Sequence, residues 1–257
     1  MDLIPINGVR LEVERIPGPA GAGRAPIVFL HEGLGSVAMW RDWPARLCAA
    51  TGRAGIVYSR RGYGRSDPVP DVRGAGRLPP DYMHTEAFEV LPRLLEALGV
   101  AAPVLLGHSD GGSIALLHAS RFPLAGCVVL APHVIVEDVS VASIAQARDA
   151  FGQGDLRNRL ARYHADVDGA FWQWNDVWLG EAFRPFDIRP DCRRIAVPVL
   201  ALQGEDDPYG TLRQVREIGP TRGPFTWQAI PACGHSPHRD QPAAVEAAVT
   251  AFLADRP

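Results

Sequence analysis

Ser109 is the residue of this chain best placed to act as a nucleophile. It stands in the pattern G-x-S-x-G, between Gly107 and Gly111, and a further glycine follows at Gly112. An apolar run of strand type, residues 104–106, precedes the pattern, and a helix-type segment follows it. A serine at the apex of a sharp strand-to-helix turn needs glycines around it, because neighbouring side chains would otherwise collide. The sequence therefore predicts that Ser109 is a reactive serine.

A serine hydroxyl attacks well only when a base removes its proton and an acid holds that base in the correct tautomer. Two predicted strands end close to suitable residues, Asp207 after residues 197–202 and His235 after residues 225–230. Functional side chains gather at the carboxyl ends of parallel strands, and serine, aspartate, histidine is a known chain order for such triads. Ser109, Asp207 and His235 are therefore the predicted catalytic residues.

Each of the two partners of the serine has a rival nearby in the sequence. Asp207 is preferred to Asp206 because it stands three residues after Gly204. His235 is preferred to His238 because it directly follows a glycine at a strand end. Asp206 and His238 are thus the alternatives for the acid and the base.

A different class of enzyme is compatible with a second glycine-rich stretch. Residues 33–38 read G-x-G-x-x-A between a predicted strand and a predicted helix, which is the form of a dinucleotide-binding fingerprint. Arg60 and Arg61, at the end of the next strand, could hold the 2'-phosphate of NADP. This NADP-dependent oxidoreductase would leave the serine, aspartate and histidine unexplained. A catalytically silent protein that binds a small molecule in the same pocket is a further alternative.

The pattern of apolar residues predicts an α/β fold with a largely parallel sheet. Strand-type runs occur at residues 27–30, 55–58, 104–106, 127–130, 197–202 and 225–230. Most of them alternate with helix-type segments, and such alternation implies crossover connections between parallel strands. Residues 8–16 instead alternate apolar and charged side chains, which predicts a half-exposed antiparallel strand at the edge of the sheet.

No strand-type apolar run occurs between residues 134 and 190, which predicts a helical insertion. Its second helix-like stretch carries a dense aromatic group at residues 171–178, with Trp172, Trp174 and Trp178. These tryptophans are possible substrate-binding residues, and they could equally form the packed core of the insertion.

Composition excludes several classes of partner. The 257 residues, 47% of them hydrophobic, suffice for one sizeable α/β domain. A net charge of −3 gives no basic face for nucleic acid, and no apolar run reaches the roughly 18 residues that a membrane span needs. The first residues carry no secretion signal, so we expect a cytoplasmic protein whose partner is a small-molecule substrate. Its oligomeric state cannot be derived from the sequence.

Taken together, these motifs resemble the α/β-hydrolase superfamily, in its branch with a serine nucleophile, over nearly the whole chain. Residues 31–36 resemble the oxyanion loop of that family, residues 61–66 its RGxGxS loop and residues 107–111 its nucleophile elbow. Residues 204–207 resemble its acid loop and residues 234–235 its histidine loop.

The resemblance implies a mostly parallel eight-stranded sheet flanked by helices. It implies a core hydrolase domain formed by residues 1–133 and 191–257, with residues 134–190 inserted as a helical cap or lid. It further implies that the backbone N–H groups of Gly33 and Asp110 form an oxyanion hole, and that no cofactor and no metal is needed.

Two acidic residues depart from the commonest pattern of the family. Glu32 stands where a glycine usually follows the histidine of the oxyanion loop, and Asp110 follows the nucleophile where many members have an uncharged residue. Each carboxylate could form a salt bridge, cap a helix or lie in a solvated turn. Alternatively, one of them, with Glu32 a possible substrate-binding residue, could line the pocket and attract a cationic group such as the amine of an amino-acid ester.

The predicted function is hydrolysis of a small carboxylic ester or thioester through an acyl-enzyme intermediate. The same residues serve lactones, amides and carbon–carbon bonds beside a ketone, so a C–C bond hydrolase is the alternative within this class. Branches of the family that cleave haloalkanes or epoxides use an aspartate nucleophile, whereas this elbow carries Ser109.

Overall fold

The computed structural model describes residues 1–20 and 23–256 of the chain. Its centre is an eight-stranded sheet. The strands are β1 (Asp2–Ile6), β2 (Val9–Ile16), β3 (Ile27–Leu30), β4 (Gly55–Tyr58), β5 (Val104–His108), β6 (Gly126–Leu130), β7 (Val199–Gly204) and β8 (Phe225–Ile230). Every run that the sequence predicts as a strand thus lies on a strand of this sheet.

The order of the strands is β1-β2-β4-β3-β5-β6-β7-β8. The strands from β3 to β8 are parallel, whereas β2 is antiparallel to both β1 and β4. The predicted mostly parallel α/β-hydrolase sheet is confirmed. The antiparallel direction of β2 was predicted correctly. Its predicted place at the edge of the sheet is wrong, because β1 pairs with it and forms the edge instead. The sequence pattern did not predict β1 because this strand contains Pro5, and proline is depleted in strands as a whole although edge strands tolerate it.

Helices connect the strands and cover both faces of the sheet. They are α1 (Trp43–Thr51), α2 (Tyr82–Thr85), α3 (Leu91–Ala97), α4 (Asp110–Ala119), α5 (Asp138–Gln153), α6 (Leu156–Leu160), α7 (Val167–Trp178), α8 (Arg189–Cys192), α9 (Arg213–Arg216), α10 (Pro237–Asp240) and α11 (Pro242–Leu253). A π-helical turn, Glu86–Val90, joins α2 to α3, and short 3-10 helices lie at Val37–Trp40 and Glu181–Phe183.

The central strands are buried on both faces, and successive side chains therefore enter two different cores. In β3, Val28 and Leu30 belong to the core under α3 and α4, whereas Ile27 and Phe29 belong to the core under α1 and α11. This is the two-sided burial expected of parallel strands with helices on both faces. The central strand β5 and the start of α4 are consequently held rigidly from both sides.

The segment between β6 and β7 is helical, and we call its residues 134–190 the cap. An isolated bridge pairs Ile135 with Asp187 at its base. Inside it, Phe151 of α5 stacks on Phe171 of α7 with ring centres 3.8 Å apart. Buried cap side chains join the core under α3 and α4, so that the cap packs directly on the core beneath it. Across the described residues, no helix is both long and apolar enough to cross a membrane.

Candidate active site

Ser109 occupies a strained turn between β5 and α4. Its φ of 53° is unusual for a residue with a side chain. Its N–H donates to the carbonyl oxygen of Leu130 at 2.9 Å, which ties the turn to β6. A Cβ on Gly107 would lie 2.1 Å from the carbonyl oxygen of Gly111, so the turn cannot close around a larger residue there. The glycines of the motif thus permit the close approach that the sequence predicts.

The structure brings His235 and Asp207 to this serine. Nε2 of His235 lies 3.0 Å from Oγ of Ser109, and Nδ1 of His235 lies 2.9 Å from both carboxylate oxygens of Asp207. Asp207 follows β7 and His235 follows β8, and both strands end at the same edge of the sheet as β5. The distances are those of hydrogen bonds, and they form a continuous chain from carboxylate to imidazole to hydroxyl.

Asp207 is held as a carboxylate. Burial alone would raise the pKa of this group, but the hydrogen bond from His235 and the N–H of Tyr209 bring it below its ordinary value. The N–H of Tyr209 donates to Oδ1 at 2.8 Å, and Nε2 of Gln203 donates to Oδ2 at 2.7 Å. An ionised acceptor at Nδ1 keeps the proton of the imidazole on that nitrogen, so Nε2 is free to accept the serine proton.

The two rival residues are placed elsewhere. The side chain of Asp206 is exposed, and its backbone N–H donates to the carbonyl oxygen of Cys233. His238 is buried behind the site, with its ring centre 4.8 Å from that of Trp40 and 4.9 Å from that of His108. Its surroundings lower the pKa of His238 well below the ordinary value, chiefly through burial. The geometry therefore favours Asp207 and His235 over both rivals.

His133 is a residue near the site that the sequence analysis did not single out. It follows β6, and its ring centre lies 5.7 Å from that of His235 and 4.9 Å from that of Trp178. Burial lowers the pKa of His133 to about 3, so the imidazole is neutral at ordinary pH. Its position three residues beyond a strand end, where functional side chains gather, was the signal that could have identified it.

Asp110 lies in a buried polar cluster between the core and the cap. Its Oδ2 accepts from the hydroxyl of Tyr82 at 2.5 Å and lies 3.7 Å from Nη1 of Arg60, and its Oδ1 accepts from Nε1 of Trp178 at 3.3 Å. Burial raises the pKa of Asp110, although Arg60 and these donors oppose the shift. Of the alternatives for this carboxylate, the observed contacts are those of a paired and hydrogen-bonded group.

Glu32 points to the other side of the site, away from this cluster. Its carboxylate lies 3.5 Å from Nδ1 of His108 and 3.5 Å from Nη2 of Arg239. These contacts with a guanidinium and an imidazole fit the salt-bridge alternative for Glu32 better than the alternative in which its carboxylate lines the pocket.

The three tryptophans of α7 have different surroundings. Trp174 lies over the oxyanion loop, so closely that a Cβ on Gly33 would be 2.1 Å from its Nε1. Trp178 contacts Asp110 and the ring of His133. Trp172 instead lies beneath the guanidinium of Arg73, 4.1 Å from the ring centre, and is partly buried against Phe151 inside the cap. The structure therefore brings Trp174 and Trp178, but not Trp172, to the neighbourhood of Ser109.

The glycine-rich stretch at residues 33–38 does not have the surroundings of a dinucleotide site. The segment after it is a four-residue 3-10 helix, Val37–Trp40, rather than the long helix that the fingerprint requires. Trp174 fills the space next to Gly33, and the carboxylate of Glu32 fills the space next to Gly35, where a Cβ would lie 2.4 Å from Oε2. A pyrophosphate would have to displace both side chains.

Comparisons with known proteins agree with this architecture. Residues 27–248 match the model of the alpha/beta hydrolase family. The bifunctional esterase/perhydrolase DCH of Acinetobacter calcoaceticus is 27% identical over 226 residues, covering 73% of this chain and 76% of that protein. The human serine hydrolase BPHL is 28% identical over 218 residues, covering 80% of this chain and 69% of that protein.

Solved structures show the same fold at lower identity. The enol-lactonase of Burkholderia xenovorans LB400 superposes with a TM-score of 0.73 at 20% identity, covering 99% of this chain and 100% of the other. The predicted fold and the predicted class of enzyme, a hydrolase, are confirmed by these matches. The chain therefore belongs to the alpha/beta hydrolase family.

Proposed function

We propose that this chain hydrolyses a small carboxylic ester or thioester through an acyl-enzyme intermediate on Ser109. The observation that supports the proposal most strongly is the hydrogen-bonded chain from Oγ of Ser109 through His235 to the carboxylate of Asp207. Strained backbone at the serine, an ionised acid and an imidazole with Nε2 facing the hydroxyl are the arrangement that acyl transfer needs.

In the first half of the reaction, Nε2 of His235 takes the proton of Ser109 while Oγ attacks the carbonyl carbon of the substrate. The carbonyl π electrons move to oxygen and give a tetrahedral oxyanion. When this intermediate collapses, the C–O or C–S bond breaks, and the proton on His235 passes to the departing alkoxide or thiolate. An alcohol or thiol leaves, and the acyl group stays on Ser109. Asp207 stabilises the imidazolium that exists between the two proton transfers.

The oxyanion hole that we propose consists of the backbone N–H groups of Gly33 and Asp110. Asp110 is the first residue of α4, where backbone N–H groups have no acceptor within the helix and the helix dipole favours negative charge. Gly33 belongs to the loop after β3, which lies beside β5. A donor of this kind contributes roughly 3 to 4 kcal/mol to transition-state stabilisation in related sites.

In the second half of the reaction, a water molecule replaces the leaving group. His235 takes one proton from this water, whose oxygen attacks the acyl carbon. When the second tetrahedral intermediate collapses, the bond between the acyl carbon and Oγ of Ser109 breaks, the proton on His235 passes to Oγ, and the carboxylic acid is released. The enzyme ends in its starting state, and the reaction involves no oxidation or reduction and no cofactor.

The charges around the site favour a substrate that is neutral near the scissile bond. The carboxylate of Asp110 faces Arg60, and that of Glu32 faces Arg239, so each negative charge is already balanced by a cation. A cationic group of the substrate would find no unpaired carboxylate on either residue. We therefore infer a neutral ester or thioester, in preference to the ester of an amino acid.

Labelling with a fluorophosphonate probe tests this function, because the probe reacts rapidly only with a serine that is activated by a base. The expected result is labelling of the wild type that mass mapping assigns to Ser109 and that Ser109→Ala abolishes. Ser120→Ala is the matched control, since Ser120 lies at the other end of α4 and its hydroxyl donates to the carbonyl oxygen of Leu117. Absence of labelling in the wild type would favour the silent binder.

Hydrolysis assays then separate the remaining substrate classes. Matched p-nitrophenyl esters and acyl thioesters of increasing chain length give the acyl size that the site accepts. Turnover of a β-diketone with neither ester nor thioester hydrolysis would replace this proposal by the C–C bond hydrolase.

A further inference from the structure

His108, the residue directly before Ser109, is hydrogen-bonded to the backbone of His235. The side chain is 1% exposed, and its Nε2 lies 2.6 Å from the carbonyl oxygen of His235. A carbonyl oxygen can only accept, so Nε2 of His108 carries a proton and donates it. The bond joins the end of β5 to the loop that follows β8, and it fixes the backbone from which the imidazole of His235 extends.

The other ring nitrogen of His108 faces an acid. Nδ1 lies 3.5 Å from Oε2 of Glu32, whose side chain is 16% exposed. The ring of His108 is thus held from two sides, with the backbone of His235 at Nε2 and the carboxylate of Glu32 facing Nδ1.

Glu32 is held in this position by further contacts. Its Oε1 lies 3.5 Å from Nη2 of Arg239, which also donates to the carbonyl oxygen of Met39 at 2.9 Å. Gly35 leaves the room that the carboxylate occupies. Burial would raise the pKa of Glu32, but His108 and Arg239 hold it well below the ordinary value, so the group is ionised.

We propose that Glu32 and His108 are positioning residues that hold His235 at hydrogen-bond distance from Ser109. This inference rests on the proposed function, because it takes His235 to be the base. Glu32 directly precedes Gly33 of the oxyanion loop, His108 directly precedes Ser109, and both act on the histidine loop. The pair thus links the three loops that supply the oxyanion donor, the nucleophile and the base.

The substitution Glu32→Gln tests the proposal, because it keeps the shape of the side chain and removes its charge. Without the negative charge, the ring of His108 loses the group that faces Nδ1, and the bond from Nε2 to the backbone of His235 is held less firmly. We expect kcat to fall about 10- to 100-fold with KM unchanged, since small displacements of a catalytic group have effects of this size. The rate of fluorophosphonate labelling at Ser109 should fall in parallel.

Asp42→Asn is the matched control, because Asp42 lies in the same connection between β3 and β4 as Glu32 and its side chain is exposed and makes no capping hydrogen bond to α1. It removes the same charge and should leave kcat unchanged. If it lowers kcat as much as Glu32→Gln does, long-range charge explains the effect and the positioning role is refuted.

A double-mutant cycle with His108→Phe gives a second test. If both residues act through one chain of contacts, the double variant should lose no more activity than the more damaging single variant. Multiplicative losses would show independent roles and overturn the proposal. Should His108→Phe fail to fold, the kcat and KM of Glu32→Gln decide alone.

Failure of this inference is distinguishable from failure of the proposed function. Wild-type labelling at Ser109 together with an unchanged labelling rate in Glu32→Gln would refute only the positioning role. No labelling of the wild type would instead refute the function on which it rests.

Discussion

Replacing Asp207 by asparagine has a consequence that follows from the direction of each hydrogen bond. The backbone N–H of Tyr209 donates to Oδ1 at 2.8 Å, so the amide oxygen of the new side chain must take that position. The amide NH2 group then takes the position of Oδ2, within reach of Nδ1 of His235. The amide oxygen and the NH2 group then both lie 2.9 Å from Nδ1, and a proton on Nδ1 would meet the hydrogens of the NH2 group, which can only donate. We therefore expect Nδ1 to become an acceptor. The proton of the imidazole moves to Nε2, which then cannot take the proton of Ser109.

The expected loss is large in catalysis and small in stability. A base locked in the wrong tautomer lowers kcat by about 10⁴-fold, which corresponds to about 5 kcal/mol of transition-state stabilisation. Gln203 would present its amide donor to the new NH2 group, but its Oε1 has no partner among the described residues and can turn toward it. That rotation sacrifices the bond to Gly210 at 3.1 Å, so we expect destabilisation of about 1 kcal/mol.

The assay is the rate of acyl-enzyme formation in a single turnover, measured for Asp207→Asn and for Asp206→Asn. Asp206 is exposed and one residue away, so its substitution removes the same charge without touching His235. Thermal unfolding of both variants reports whether they are folded. Activity of Asp207→Asn within tenfold of the wild type, or a larger loss in Asp206→Asn, would refute the assignment of the acid.

Three further outcomes follow from the site. Gly33→Ala brings a Cβ to 2.1 Å from Nε1 of Trp174, so it should lower both Tm and kcat. Adding Trp174→Ala to this variant should recover part of the Tm. A Tm of Gly33→Ala equal to that of the wild type would contradict the contact. His133→Phe removes a buried group with a pKa of about 3, to which the unfolded chain binds a proton near pH 6.5 and the native chain does not. As the pH falls from 6.5 to 5, the free energy of unfolding of the variant should therefore rise relative to that of the wild type by about 1.6 kcal/mol, as urea titrations would show. A difference between the two proteins that does not change with pH would refute the neutral imidazole. Asp110→Asn should leave the ratio of kcat/KM for cationic and neutral esters unchanged, because Arg60 already balances the carboxylate; a falling ratio would show that the carboxylate attracts the cation.

The grouping of Ser109, Asp207 and His235 was predictable because each lies beyond the end of a strand. In a parallel sheet the carboxyl ends share one edge, so recognising the strands of the core already places these residues together. The position of Asp207 three residues after Gly204, and that of His235 directly after Gly234, also distinguished them from their rivals. That the three residues catalyse acyl transfer is still a prediction, which the labelling experiment tests.

The surroundings of the acidic residues could not be predicted in the same way. Whether Glu32 faces substrate or a salt bridge depends on Arg239, which is distant in sequence and reaches it only when β3 and α10 lie at the same edge. Asp110 is paired with Arg60 through contacts of the same long-range kind. Trp172 and Trp174 differ in orientation by their place around α7, and no local pattern shows which side of that helix faces the site.

The cap is joined to the catalytic loops by specific hydrogen bonds as well as by apolar packing. His164 of the cap accepts from the N–H of Gly64 and donates to the carbonyl oxygen of Leu34, each at 3.0 Å, and Trp178 donates to Asp110. A chimera that replaces only residues 134–190 with the cap of a relative would leave buried acceptors in the remaining core without their donors. Exchange of caps as a route to new specificity therefore has to carry these partners along, and the natural unit of exchange is the cap together with the loops that it contacts.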